Sequence, residues 1–257
     1  MGMMKNVYFL SDLHLGASYI ADPREHEGRV VRFLESIAGD AEELYLLGDI
    51  LDYWYEYRHV VPRGHVRFLG ALARLADAGV KITWLTGNHD VWLFDYIRDE
   101  IGVKVLKTKT EMNIMGHRFF LSHGDDVGKQ AFGYRFMRWI FYNRFLQWLY
   151  AGIHPRWTFV FASGISTKNR TSRHKKIETE KVQRSMAESL SNLRAFTEEH
   201  SQSHPNIEHY VYGHLHVALN ETVNAGATMT MLGDWIDKFT YAKFDGTTIT
   251  LEKFENF

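Results

Sequence analysis

The stretch Ile82-Thr83-Trp84-Leu85-Thr86-Gly87-Asn88-His89-Asp90 runs apolar residues into a glycine and then presents an amide, an imidazole and a carboxylate. It reads as a buried strand over 81–86 that ends in a reactive loop. Ile82, Trp84 and Leu85 suit a covered sheet, and Gly87 permits a sharp turn that projects the next three side chains from the strand's carboxyl end. That edge is where open α/β sheets place their ligands. A polar turn after one strand is ordinary, so its weight comes from repetition elsewhere.

Upstream, Asn6 to Leu10 is a short apolar strand leading into Ser11-Asp12-Leu13-His14. Alternation of strand side chains predicts that Asp12 and His14 share a face. Leu44-Tyr45-Leu46-Leu47 is a second buried strand, closed by Gly48-Asp49-Ile50-Leu51-Asp52. Helical spacing appears between the strands, in Val30, Val31, Phe33, Leu34 and Ile37, and again in Val66, Leu69, Leu72, Leu75 and Ala76, with Gly79 placed to end the second helix.

Downstream, Arg118-Phe119-Phe120-Leu121 leads to Ser122-His123-Gly124-Asp125, and His209-Tyr210-Val211-Tyr212 leads to Gly213-His214-Leu215-His216. Five strand ends thus deliver acids, an amide and imidazoles, a pattern that separate coincidences do not explain. Met229 to Ile236 and Thr240 to Phe254 read as strands of a second sheet, with Asp245-Gly246 as a hairpin turn. The expected fold is α/β, two facing sheets flanked by helices.

With 257 residues and 45% hydrophobic content, the chain has material for one large domain. A net charge of -1 announces no global basic field for nucleic acid. Cys is absent, which excludes disulfides and thiolate ligands and fits a cytosolic protein, while 14 His leave imidazole and carboxylate chemistry open. No apolar segment near the start has the form of a signal peptide.

The ordered set Asp12-x-His14, Gly48-Asp49-x-x-Asp52, Gly87-Asn88-His89-Asp90, His123 and Gly213-His214-x-His216 resembles the calcineurin-like metallophosphoesterases. The resemblance implies a two-metal centre: Asp12, His14, Asp49 and His216 around one ion, Asp49, Asn88, His123 and His214 around the other, with Asp49 bridging. Oxygen and imidazole donors suit Mn, Fe or Zn. His89 is not needed as a ligand and is expected to stabilise phosphoryl charge or protonate the leaving oxygen, with Asp90 fixing its tautomer.

Between His123 and His214 lies an insertion, expected over 127–205 as a helical cap on the single domain. Residues 131–150 read AFGYRFMRWIFYNRFLQWLY, apolar on nearly every face of a helix. Two readings stand: a helix buried within the cap, or a greasy pocket or membrane-facing lid. Arg135, Arg138 and Arg144 argue against a membrane span, since each adds roughly +2.5 to +3.5 kcal/mol near a bilayer centre. Trp139 and Trp148 would instead anchor at the interface. The basic run 168–176, which contains Lys168 and Arg170, is either a solvated helix end or an attractor of polyanions. Residues 178–200 read as an amphipathic helix with Val182, Met186, Leu190, Leu193 and Phe196 on one stripe.

The aromatic insertion followed by a basic segment is similar to the bacterial UDP-2,3-diacylglucosamine pyrophosphatases of lipid A synthesis. That resemblance implies hydrolysis of a lipid-linked nucleotide sugar to 2,3-diacylglucosamine 1-phosphate and UMP, manganese as the metal, and a peripheral place on the cytosolic face of the inner membrane. It implies substrate contacts from Trp54, Asn88 and Tyr134, joined by Arg135, Arg138, Lys168 and Arg170. One position departs, since Arg follows the metal-binding Asn in that family and His89 does here. The competing readings are a nucleotide phosphodiesterase or nuclease, which would stack bases on the aromatics, and a non-catalytic scaffold on the same fold.

Overall fold

The computed structural model describes residues 5–130, 132–158, 180–223 and 226–255. Its first half alternates β1 (Asn6–Leu10), α1 (Pro23–Ile37), β2 (Ala41–Leu47), α2 (Val66–Asp77), β3 (Lys81–Leu85), α3 (Tyr96–Ile101) and β4 (Lys104–Leu106). Then come β5 (Thr110–Ile114), β6 (His117–Ser122), α4 (Phe132–Tyr142), α5 (Arg144–Ala151) and α6 (Glu180–Ser203). The chain closes with β7 (His209–Tyr212), β8 (Ala218–Thr222), β9 (Thr228–Leu232), β10 (Thr240–Phe244) and β11 (Ile249–Lys253).

The strands form two sheets, ordered β11-β10-β1-β2-β3-β4 and β5-β6-β7-β9-β8. Strands β1 to β4 run parallel, as do β6, β7 and β9. Alternation along β1 explains the layering: Val7 and Phe9 enter the core between the sheets, whereas Tyr8 and Leu10 pack outward with Phe33, Leu34, Phe68 and Leu72 of α1 and α2. The outer face of the second sheet meets Leu193 of α6 through Phe120, Tyr210 and Tyr212, with Leu190 and Phe196 of the same stripe beside them. The result is the expected pair of sheets between helical layers.

Three local expectations change. The hairpin of β10 and β11 joins the first sheet through antiparallel pairing of β10 with β1, not the second sheet. The aromatic stretch is two helices rather than one, because the Asn143 side chain accepts the N–H groups of Phe145 and Leu146 and so caps a new helix. Nor is it buried: no residue of α4 or α5 is buried, and Phe132, Phe136, Trp139, Phe145 and Trp148 face outward. The two helices dock by ring contacts of Phe141 and Tyr150 with Trp92, and of Tyr150 with Tyr55, together with hydrogen bonds from Trp92 to the Phe141 carbonyl and from Tyr55 to that of Gln147. Among the described residues no helix is long and apolar enough to cross a membrane.

Candidate metal centre

The parallel strands converge on one edge. Just past β1, β2, β3, β6 and β7 stand Asp12 and His14, Asp49, Asn88, His123, and His214 with His216. Asp12 and His14 meet, with Oδ1 and Nε2 3.8 Å apart, but strand alternation is not the cause. Both lie beyond β1 in the left-handed backbone region, at φ of 55° and 46°, which swings them inward. Gly87 also acts differently from expectation. It is needed for close approach rather than for a turn, since a Cβ there would sit 2.3 Å from Asp49 Oδ1.

Three overlapping groups of candidate ligands share this edge: Asp12 with His14 and His216, Asp49 with His123 and His214, and, across those two, His14 with Asp49 and His89. Asp49 Oδ2 stands 3.7 Å from His14 Nε2 and 3.3 Å from His123 Nε2, so one carboxylate faces both of the first two groups. His216 Nε2 lies 3.4 Å from Asp12 Oδ1. Asp12 Oδ1, Asn88 Oδ1 and His123 Nε2 are buried and make no hydrogen bond among the described residues. Buried polar atoms without partners are costly, and oxygen and imidazole donors aimed at common points suit a divalent cation. The residues fit a two-metal centre.

Electrostatics agree. Burial pushes the Asp12 carboxyl up, but His216, His14 and His123 outweigh it and hold it at about 2. Asp49 is likewise buried, and His123 and His89 hold it well below the usual carboxylate range. Burial and the neighbouring His123 lower His214 to about 4, so its imidazole is neutral and able to ligate. His123 is raised well above its ordinary value because Asp49 outweighs burial, which marks a place that favours positive charge.

Supporting groups fix the tautomers. His123 Nδ1 donates to the Leu47 carbonyl at 2.8 Å, and since a carbonyl only accepts, the neutral ring, as a bound cation would require it, carries its lone pair on Nε2. His14 Nδ1 faces Asp52 Oδ1 at 3.2 Å, and His216 Nδ1 faces Asp234 Oδ2 at 3.7 Å. Asp234 is held in turn by the N–H groups of Ile236, Asp237 and Lys238 and by Lys238 Nζ. Sequence reading assigned Asp52 and Asp234 no role. The signal for Asp234 was present, because Met231-Leu232-Gly233-Asp234 repeats the strand, glycine, acid order.

His89 lies at the rim, its N–H on Asp49 Oδ1 and its Nδ1 on the Asp52 carbonyl, both at 2.9 Å. The orienting group is therefore Asp52 and not Asp90. Asp90 is fully buried and accepts from the backbone of Ile50 and Gly87 and from Trp84 Nε1, so it ties the β2 and β3 loops together. Trp54 is also displaced from its expected role: it is fully buried in the helix-side core, donating to Glu56, out of reach of a substrate.

Beside His214 opens a cavity of about 160 Å³ lined by Asp125, Lys129, Gln130, Tyr134 and Asn192. Tyr134 donates to Asp125 at 2.8 Å, and Arg138 is committed to Asp125 and Asp126. Arg135 is exposed on α4. Lys168, Arg170 and the basic run 168–176 lie outside the described residues.

The calcineurin-like phosphoesterase model matches residues 5–218, which span every candidate ligand above, though not Asp234. The chain belongs to this family. As a family member it is a metal-dependent hydrolase. It is similar to the UDP-2,3-diacylglucosamine hydrolase of Porphyromonas gingivalis, 40% identical over 260 aligned positions that cover 99% of both chains. It is also similar to the protein of that name from Neisseria meningitidis serogroup A, at 28% identity over 98% of this chain and all of the other. Among solved structures, an archaeal phosphodiesterase aligns over 96% of this chain and 98% of its own with a TM-score of 0.48 and 12% identity.

Proposed function

We propose that this phosphoesterase hydrolyses the pyrophosphate bond of UDP-2,3-diacylglucosamine, giving 2,3-diacylglucosamine 1-phosphate and UMP. The observation that carries the substrate is the 40% identity, along 99% of both chains, to a hydrolase named for it. The outward aromatic faces of α4 and α5 support an acylated substrate over a bare nucleotide or nucleic acid. In this reading residues 127–205 act as a cap on the single domain, and the exposed aromatics seat the protein on the cytosolic face of the inner membrane.

Asp12, His14, Asp49 and His216 would hold one divalent ion and Asp49, Asn88, His123 and His214 the other, manganese in preference to iron or zinc. Such a pair would polarise a phosphate and lower the pKa of a bound water. The chain's own residues do the rest. Asp52 and Asp234 turn His14 and His216 so that each presents Nε2. With Nδ1 donating to the Asp52 carbonyl, His89 keeps Nε2 for accepting or returning a proton at the leaving oxygen. Tyr134, in the cavity wall, offers a phenol to the bound headgroup, and Arg135, Lys168 and Arg170 supply positive charge for the phosphates.

The test is manganese-dependent UMP release from UDP-2,3-diacylglucosamine in detergent, run beside an aryl phosphodiester and a short single-stranded DNA. Turnover of the lipid far above both controls, abolished in Asp49→Ala, is expected. Turnover of the aryl ester or the DNA alone sinks the substrate assignment while leaving the metal centre standing.

A further inference from the structure

Away from the strand-end centre, His200 in the last turn of α6 and His204, the residue just past its end, lie opposite Glu111 of β5. Residues i and i+4 are neighbours on a helix surface. The two imidazoles stack face to face, ring centroids 4.0 Å apart and planes 7° from parallel, so holding one ion between them turns one ring out of the stack. One ligand atom from each of the three residues falls within 4.8 Å of the others.

One nitrogen of each ring is already engaged. His204 Nδ1 lies 3.1 Å from the His200 carbonyl, which only accepts, so Nδ1 carries the proton and Nε2 the lone pair. Ser203 Oγ stands 3.0 Å from the same nitrogen. His200 Nδ1 pairs with the Tyr210 hydroxyl at 3.1 Å, and in the tautomer whose Nδ1 donates to it Nε2 holds the lone pair for a metal. A carbonyl or hydroxyl behind each imidazole is the support that metal-bound histidines use. Glu111 Oε2 accepts from Arg118 Nη2 at 2.7 Å, an ion pair that orients the carboxylate and leaves Oε1 for a further ligand.

We propose that Glu111, His200 and His204 form a second, separate metal site, taking a borderline divalent cation such as Zn2+ through two imidazoles and one carboxylate. Two histidines and a glutamate are an established zinc donor set with the fourth position left to solvent, and imidazole favours zinc over magnesium or calcium. Glu111 belongs to the edge strand of the second sheet, whereas His200 sits in the last turn of α6 and His204 just past its end. A bound ion therefore clamps the helix end to the sheet edge. Because α6 also supplies Ser189 and Asn192 to the cavity beside His214, the clamp braces one wall of that cavity.

The test is zinc titration of the manganese-loaded, full-length protein against a chromophoric zinc chelator, comparing wild type with His204→Ala and Glu111→Gln. Both changed residues are exposed, and far-UV circular dichroism verifies that each variant folds. Wild type is expected to take up one zinc equivalent more than His204→Ala, with Glu111→Gln binding that equivalent roughly tenfold or more weakly. Zinc should also slow amide exchange in β5 and the last turn of α6 in wild type only, and zinc-free activity should match across all three proteins. Equal zinc stoichiometry in wild type and His204→Ala overturns the site, and undiminished affinity in Glu111→Gln overturns the three-ligand assignment.

Discussion

Phe145 and Trp148 stack one turn apart on α5, ring centroids 5.9 Å apart, and are 63% and 69% exposed. If this face enters the membrane interface, replacing both by serine should weaken vesicle binding by a calculable amount. An aromatic side chain offers ~200 Å², so each ring shows roughly 130 Å², worth about 3 kcal/mol on complete transfer at ~25 cal/mol per Å². A helix lying in the interface immerses about half of that, or ~1.5 kcal/mol per ring, so the pair amounts to a loss on the order of 100-fold in partitioning. The assay is co-sedimentation with vesicles containing anionic lipid. The control is Met115→Asn, an exposed apolar residue in the turn joining β5 and β6, at the end of the second sheet away from the metal centre. Less than a threefold change in a folded Phe145→Ser/Trp148→Ser protein, or an equal change in the Met115 control, would refute membrane seating through α5.

Asp52→Asn removes the charged acceptor from His14 Nδ1 while keeping the backbone carbonyl that holds His89; manganese affinity should fall roughly 10- to 100-fold by calorimetry, as for other outer-shell partners. Glu56 is buried and accepts the N–H groups of Phe94, Asp95 and Tyr96 at the start of α3. Glu56→Ala strands those donors, and chemical denaturation should record a loss of about 3 kcal/mol, with activity retained at low temperature. His26 is buried, with Nε2 on the Leu13 carbonyl at 2.7 Å, and burial holds its pKa below the ordinary value of 6.5. The unfolded chain therefore takes up this proton first, so stability drops as pH falls below about 6.5. In His26→Gln that acid limb should flatten, and an unchanged slope in urea melts between pH 7 and 5 would show that the histidine does not titrate as argued.

The strand ends were legible because the signal is local: a few apolar residues and a glycine, followed by a ligand. What stayed hidden depends on contacts between distant segments. Nothing in Thr240 to Lys253 announces that β10 pairs with β1 rather than joining the second sheet, because alternation specifies a face and not a partner. Trp54 looked like a substrate contact, yet its position behind the β2 loop places it against His65 and Tyr96 in the core. Asn143 was a readable cap that the apolar run around it obscured. The roles of Asp52 and Asp90 could not be sorted by spacing, since both acids follow glycine-led turns and only the folded loops decide which one meets a histidine.

The same loops show why a metal centre of this kind can be assembled from strained backbone. Asp12, His14, Asp49, His214 and His216 all adopt positive φ, between 46° and 69°. A non-glycine residue there costs about 1 kcal/mol or more, so five represent a sizeable share of a typical domain's net stability. The chain offsets this by zipping the loops to one another. Asp12 N–H donates to the Gly48 carbonyl, His14 N–H to that of Asp49 and Leu15 N–H to that of Ile50, which extends the pairing of β1 and β2 past their ends. Gly213 N–H bonds the His123 carbonyl, and Trp235 N–H bonds that of Asp12, which joins the two sheets' loops at the centre itself. The left-handed turns are what aim five side chains at a common point, and the interloop hydrogen bonds keep them aimed. The scaffold's own hydrogen bonds thus set the positions of the donors.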